Sequence, residues 1–157
     1  PIPTNLPSPH HRNKIIMPDS VLTDIADDLV TYFGTLSLSQ TFTSKRVFLP
    51  DFAREQLTGY EVTVYPASES RGIMTRASVE HIYTLNVVIR APINPASDPD
   101  ITAALYFVEQ LTTNIKGQAA SGASWLSSEN DPVFDLTQLQ ERHEFLSVLT
   151  IQYKKVI

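Results

Sequence analysis

The sequence predicts an α+β domain in which two main helices pack on one face of an antiparallel sheet of about four strands. The main evidence is two long segments, residues 76–92 and residues 143–157, in which apolar side chains recur at every second position. That period places alternate side chains on one face of a strand. Two segments with a helical period begin near residues 20 and 98, which gives the order helix, three strands, helix, strand.

The first helix is predicted from a cap and an apolar stripe. Asp19 or Ser20 can accept hydrogen bonds from the N–H groups of the first turn, and Gly34 favours a stop. Between them, the apolar residues with helical spacing are Leu22, Ile25, Ala26, Leu29 and Phe33.

Three strands are predicted after this helix. Lys45–Pro50 and Tyr60–Pro66 are the first two, and residues 76–92 form the third. We expect these strands to pair antiparallel, because the connections between them are too short for a crossover. The apolar face of the third strand comprises Val79, His81, Tyr83, Leu85, Val87 and Ile89.

The intervening segments of this half are predicted as loops and one short turn. Residues 52–57 are expected to form a helical turn, and the polar residues 67–75 are expected to form a loop that joins two strands.

The second half of the chain contains the second helix and the last strand. The helix starts at Asp98 or Asp100 and closes at Lys116 and Gly117, a basic residue and a glycine that suit a helix C-terminus. Residues 118–134 are predicted as a long polar loop, of a length that is usually functional or mobile, and residues 135–142 as a helical turn. On the last strand, one face carries Phe145, Ser147, Leu149, Ile151 and Tyr153.

Composition limits the class of protein. The chain has 157 residues and no cysteine, which excludes disulfides. Its formal net charge of −5 disfavours a protein that binds the phosphate backbone of nucleic acid over its whole surface. Apolar runs all fall short of the ~18 residues of a membrane span. Residues 1–16 hold four of the eleven prolines and form an extended leader, which is an arm, an upstream extension or a non-native addition. Residues 17–157 are predicted to form a single α+β domain.

Basic and aromatic residues are the candidates for contacts with partners. Lys45, Arg46, Arg71 and Arg76 can contact DNA or the carboxylates of a neighbour, or they can be solvated charges beside strand ends. Trp125 is either a docking anchor or a residue that fixes its loop to its own core. The full set of predicted interface residues is Lys45, Arg46, Arg71, Arg76, Trp125, Phe134 and Tyr153.

Catalytic, cofactor and metal sites are not predicted. His81 and His143 could meet across adjacent strands, but two histidines without a third ligand seldom bind metal. The segment 117–124 follows a helix and lacks the ending of a phosphate-binding loop. The carboxylates show no arrangement with a nucleophile that would indicate acid–base catalysis.

Over about residues 19–157 the chain resembles the tail terminator, or tail-completion, proteins of long-tailed bacteriophages. Related neck proteins share similar small α+β layouts. The resemblance is carried by the order of the elements and by residues 25–29 (Ile-Ala-Asp-Asp-Leu), 46–51 (Arg-Val-Phe-Leu-Pro-Asp), 80–83 (Glu-His-Ile-Tyr), 130–132 (Asn-Asp-Pro) and 145–153 (Phe-Leu-Ser-Val-Leu-Thr-Ile-Gln-Tyr).

The resemblance implies a non-enzymatic virion protein that is assembled in the host cytoplasm. It would form a ring, commonly of six subunits, at the head-proximal end of the tail tube. Its partners would be copies of itself, the tail tube protein and the head–tail connector protein, and DNA would pass through the lumen without specific binding. Two alternatives stay open: another neck, connector or tube-associated protein, and a small α+β enzyme or ligand-binding domain.

Overall fold

The computed structural model of the protein describes residues 20–49 and 57–157. The elements in chain order are α1 (Val21–Phe33), β1 (Phe42–Arg46), β2 (Tyr60–Ile73), β3 (Val79–Pro92), α2 (Asp98–Ile115), β4 (Ser124–Asn130), α3 (Leu136–Arg142) and β5 (Glu144–Val156). The predicted α+β class is confirmed. The predicted leader at 1–16 and all but the last residue of the predicted turn at 52–57 lie outside the described residues.

The helices begin where side chains satisfy their first N–H groups. The Ser20 hydroxyl accepts from Thr23 N at 3.1 Å and starts α1, which ends before Gly34. Ser97 plays the same part for α2, and the aspartates of its first turn lie at the positive end of the helix dipole. Both helices therefore start within a few residues of the positions that the sequence indicates.

The sheet has five strands in the order β1-β2-β3-β5-β4, rather than about four. β1 runs parallel to β2, with Phe42 opposite Tyr60 and Arg46 opposite Val64, so the predicted antiparallel pairing of the first two strands is wrong. The reason is the connection, residues 47–59, which reaches the dozen or so residues that a parallel return requires. The other three pairs are antiparallel.

Two segments that we predicted as loops contain strands. β2 continues to Ile73 through the polar residues 67–73, and β4 occupies residues 124–130 of the predicted 118–134 loop. Each strand carries an irregularity in its pairing, between Pro66 and Ser68 in β2 and between Trp125 and Ser127 in β4. Residues 67–73 are all exposed and no residue of β4 is fully buried, which explains why these sequences lack an apolar period.

One face of the sheet is covered by α1 and α2, as predicted. Both helices bury their apolar stripes in the same core as alternate residues of β2, β3 and β5. The predicted apolar faces of the two long strands are confirmed from Tyr83 to Ile89 and from Phe145 to Tyr153. The strand residues of this core are Val62, Val64, Tyr83, Leu85, Val87, Ile89, Ala91, Phe145, Leu149, Ile151 and Tyr153.

The opposite face of the sheet is polar over much of its area. Near one end, the fully buried Arg90 donates from Nε to Glu144 Oε1 at 2.6 Å and lies 3.6 Å from Glu61. Further along, hydroxyl and amide side chains bond one another across the strands, as in Thr150 Oγ1 to Asn86 Oδ1 at 3.1 Å. The two faces therefore differ: one carries the hydrophobic core and the other carries hydrogen-bonding groups.

Candidate assembly surface

Three strands of the sheet continue past the helices and form a projecting end. Tyr83 on β3 and Tyr153 on β5 are the last fully covered residues on the helix-facing side. Beyond them every residue from 67 to 77 is exposed, including Met74 in the turn at the tip. The projecting end therefore consists of residues 67–82 of the β2–β3 hairpin together with residues 154–157 at the end of β5.

An apolar row crosses the tip of the projecting end. Ile73 lies opposite Val79, and Val79 exchanges two backbone hydrogen bonds with Ile157, at 2.8 and 3.0 Å. Residues opposite one another on adjacent strands share a face. Ile73 is 87% exposed and Ile157 is 59% exposed, so this row is a solvent-exposed apolar patch on the helix-facing side.

A basic row lies next to the apolar row on the same face. Arg71 is opposite His81, and His81 is opposite Lys155. Glu69 accepts from Arg71 Nε at 2.9 Å and lies 3.1 Å from His81 Nδ1, whose ring stacks on Tyr83 with the centroids 5.9 Å apart. Hydrogen bonds from His81 and Arg71 hold the pKa of Glu69 below its ordinary value of 4.5. The row is net positive in a protein whose total charge is −5.

The other face of the projecting end carries few unpaired charges. Lys154 and Glu80 form an ion pair at 3.4 Å, and Ser127, Gln152 and Thr84 are linked by hydrogen bonds of 3.1 and 3.5 Å. Glu129 on β4 also points to this side, since it lies opposite Thr150. Apart from the exposed Val156, which lies opposite Glu80, this face is therefore hydrophilic and close to neutral.

Both lateral edges of this part of the sheet are free among the described residues. β1 pairs with β2 only as far as Val64, where Val47 N donates to Val64 O at 3.0 Å, so residues 65–73 have no neighbouring strand on that side. At the other side β4 is the last strand, and its outer edge is unpaired along 124–130. Free edges of this kind can pair with a strand from another chain.

Trp125 lies in a groove between β4 and α2. The groove has a volume of about 670 Å³, and its walls include Val108, Thr112, Ser128 and Asn130. Trp125 is half-buried against the core and donates from Nε1 to Ser128 Oγ at 2.9 Å. The side chain therefore fixes β4 to its own domain while one side stays open to the groove.

The structure separates the predicted interface residues into three groups. Arg71 and Arg76 lie on the projecting end, and Trp125 lies on the β4 edge strand. Lys45 pairs with Glu61 at 2.5 Å, and Arg46 pairs with Asp27 at 2.5 Å and covers the ring of Phe48. The third group lies inward: the ring of Phe134 stacks on Phe145, and Tyr153 is 0% exposed.

Sequence reasoning missed the apolar residues of the projecting end and the free edge of β4. Ile73 and Met74 are isolated apolar residues in a polar stretch, which is the pattern of a loop. Leu126, which is 42% exposed, stands in the serine-rich run of β4. The only sequence signal was the tryptophan beside it, because aromatic residues favour interfaces.

The two histidines that could have formed a metal site are far apart. His81 faces Lys155 on the projecting end, whereas His143 precedes β5 at the opposite end of the sheet. Across residues 20–49 and 57–157, no three histidine, aspartate or glutamate side chains are grouped closely enough to hold a metal ion. Within the same residues, no helix is both long enough and apolar enough to cross a membrane.

Comparison with known proteins assigns no family to the chain. No family model matches it, and no curated protein matches it. Among solved structures, it is similar to a chain of a structure described as the virion of a native gene transfer agent particle. The two chains are 12% identical with a TM-score of 0.40, and the match covers 86% of this chain and 90% of the other. Likeness of this degree supports no functional conclusion.

Proposed function

We propose that the protein is a structural subunit of a phage-like virion. It assembles as a ring on the head-proximal end of the tail tube, stops tube polymerisation and joins the tail to the head connector. This proposal takes its starting point from the resemblance of residues 19–157 to tail terminator proteins. The role requires no covalent chemistry, and it depends on surfaces that bind copies of the same chain and two other proteins.

The observation that carries the proposal is the projecting end of the sheet with a free edge on each side. A closed ring needs two different patches on every subunit, so that the first patch of one copy meets the second patch of the next. The β2 edge at 65–73 and the β4 edge at 124–130 are two such patches, and they lie on opposite sides of one rigid sheet. The exposed apolar row at Ile73 and Ile157 then supplies a surface for the tube or the connector.

The chemistry of the polar sheet face suits a lumen through which DNA passes. Its hydroxyl and amide groups bond one another, and Lys154 pairs with Glu80. A strongly basic face would bind the phosphate backbone and retain the genome, because each phosphate that a lysine or arginine neutralises adds to the affinity. We therefore place this face toward the lumen and the helices toward the outside of the ring.

The test is electron microscopy of purified tail tubes of the same virion after incubation with the protein, with native mass measured in parallel. We expect a ring on one end of tubes of uniform length. Ile73→Asp should abolish capping, because it places a charge in the exposed apolar row. Val133→Asp is the matched control, since Val133 is also exposed, at 47%, but lies near the other end of the sheet.

Two results would overturn the proposal. If the wild-type protein leaves tubes uncapped and they continue to grow, it is not a terminator. If it binds purified connector rings but never tubes, it occupies a different position in the neck. Equal capping by the Ile73→Asp and Val133→Asp variants would show that the projecting end does not contact the tube.

A further inference from the structure

We infer that the projecting part of β2 in one copy pairs antiparallel with β4 of the next copy, so that one sheet continues from subunit to subunit. The occupant of each free edge is therefore a second copy of this chain. The inference rests on the proposed ring and specifies the contact that builds it. Strand direction, height along the sheet and backbone orientation each constrain this contact.

Strand direction makes the contact antiparallel. β2 runs opposite to β3, β3 runs opposite to β5, and β5 runs opposite to β4. β4 therefore runs opposite to β2. When two copies stand side by side in the same orientation, as ring symmetry requires, β4 of one copy meets β2 of the next in the antiparallel sense, in which the inter-strand bonds are perpendicular to the strands.

The two edges lie at the same height along the sheet. β4 pairs with residues 149–154 of β5, these pair with residues 82–87 of β3, and those pair with residues 64–70 of β2. β1 leaves the edge of β2 after Val64. A neighbouring β4 can therefore reach β2 at this height and above it, toward the tip, without meeting β1.

Backbone orientation selects the residues that can form hydrogen bonds across the contact. The carbonyl of Val64 points outward, and the irregularity between Pro66 and Ser68 shifts the alternation by one residue. Glu69 and Arg71 then direct their N–H and C=O groups to the free edge. On β4 the N–H of Asp131 points inward to β5, so Ser128 and Asn130 point outward by the same two-residue period.

One register uses these groups without a conflict. It places Ser128 opposite Arg71 and Asn130 opposite Glu69, with Glu129 opposite Ser70. A shift of two residues in one direction would bring Asn130 against the irregular segment next to Pro66, which has no N–H to donate. A shift of two residues in the other direction would place Ser128 opposite Ile73 and leave residues 124–127 beyond the end of β2, whereas the selected register leaves only residues 124 and 125 beyond it.

The side chains agree with the selected register. Ser128 and Asn130 lie on the helix-facing side, as do Glu69 and Arg71, because their opposite residues include the buried Ile151, Leu149 and Tyr83. Hydroxyl and amide groups then stand beside a guanidinium and a carboxylate, which they can hydrogen-bond. The exposed Leu126 would lie beside the exposed Ile73, at the margin of the apolar row.

Cysteine cross-linking tests the contact directly, because the chain contains no cysteine of its own. In the selected register Ser70 and Glu129 form a pair without backbone bonds, with Cα atoms about 4.5 Å apart, which suits a disulfide. Within one copy β3 and β5 separate the two strands by about 14 Å, and the two residues also lie about four residues apart along the sheet, so they cannot be bridged. The variant with Ser70→Cys and Glu129→Cys should form reducible multimers on tubes under mild oxidation.

Matched variants test the register and guard against a folding defect. Gly72→Cys with Ser127→Cys probes the same register one pair further along, and a Cβ at Gly72 meets no atom within 4 Å. Ser68→Cys with Glu129→Cys probes a register displaced by two residues. The single-cysteine variants should give at most dimers.

Multimers from both the 70/129 and the 72/127 pairs would support the inference. Multimers from the 68/129 pair alone would overturn the register, and rings of native mass without cross-links from any pair would overturn the strand contact while leaving the proposed function intact. Multimers from the 70/129 pair together with uncapped, growing tubes would overturn the proposed function and leave the strand contact standing.

Discussion

Tyr153 offers the sharpest prediction about the core under the candidate surface. The residue is 0% exposed on the helix-facing side of β5, and its hydroxyl is buried without a hydrogen-bond partner. Tyr32 provides a matched contrast, because its hydroxyl donates to Asn114 O at 2.8 Å. We expect Tyr153→Phe to stabilise the protein and Tyr32→Phe to destabilise it, although each substitution removes one oxygen atom.

The magnitudes follow from hydrogen-bond energetics. An unsatisfied buried hydroxyl costs about 1–3 kcal/mol, whereas a made hydrogen bond contributes a net ~1 kcal/mol. After allowing for the small space left by the oxygen, we expect Tyr153→Phe to raise the free energy of unfolding by about 1 kcal/mol. Tyr32→Phe should lower it by about 1 kcal/mol, and each change corresponds to a shift of ~2–4 °C in Tm for a domain of this size.

The difference between Tyr153→Phe and the wild type should grow at alkaline pH. Burial raises the pKa of Tyr153 far above its ordinary value of 10.0, so the folded state keeps the phenol neutral. In the unfolded state the Tyr153 phenol ionises near pH 10. The stability that the neutral phenol contributes is therefore complete below pH 10 and is lost as the pH rises toward its folded-state pKa. At pH 11 this loss amounts to about 1.4 kcal/mol for the wild type, and the Phe variant does not suffer it.

Urea unfolding of the three proteins at pH 7 and pH 11, followed by circular dichroism, measures these differences. If Tyr153→Phe loses as much stability as Tyr32→Phe at pH 7, the Tyr153 hydroxyl has a partner and the reasoning fails. A gap between wild type and Tyr153→Phe that stays constant with pH would show that the phenol ionises equally in both states.

Three further predictions concern charge and packing. Arg90→Met should lower the free energy of unfolding by about 3–5 kcal/mol, because it leaves the buried Glu144 without its 2.6 Å partner. Lys45→Met, at an exposed ion pair, should lower it by less than about 1 kcal/mol in the same urea unfolding experiments. Trp125→Ala should weaken ring formation and lower stability, and a variant that no longer folds would show that the tryptophan acts only in the core. The contribution of Glu69 to the stability of the β2–β3 hairpin should be complete above pH 4.5 and should be lost as the pH falls through the lowered folded-state pKa of Glu69. Hydrogen exchange of the hairpin amides would detect this loss. Amide protection that stays constant on acidification would contradict this assignment.

The sequence predicts those parts of the fold that depend on apolar periodicity. α1, α2, β3 and β5 bury a regular stripe, so their class and the shared face of the helices could be predicted from the sequence alone. β4 and the outer half of β2 could not, because polar side chains on an exposed sheet show no contrast between faces. The parallel pairing of β1 was missed because it depends on how the chain returns through residues 47–59, which leaves no local signal.

The candidate surface was predictable only in part, for a related reason. Charged residues such as Arg71 and Arg76 stand out in a polar stretch, and both lie on the projecting end. Tyr153 falls on the predicted apolar face of β5 with Leu149 and Ile151, so the two-residue period already indicated the burial that the structure shows. The free edges are properties of strand order, which adjacent residues do not encode.

In the proposed ring, we expect the two edge strands to pair weakly in solution and selectively on the tube. Pro66 and the irregularities in β2 and β4 shorten the regular edges to about 69–72 and 127–130, which protects the monomer from indiscriminate pairing. Two facing residue pairs exchange about four backbone hydrogen bonds, a net ~2–6 kcal/mol, against an association cost of about 4–15 kcal/mol. This comparison predicts that the strand contact alone does not hold two free copies together and that, in the proposed ring, the tube supplies the remaining binding energy. Native mass measurements should find a monomer in solution and a ring only on tubes. A stable ring without tubes would show that the contact between subunits exceeds the association cost and would refute this estimate.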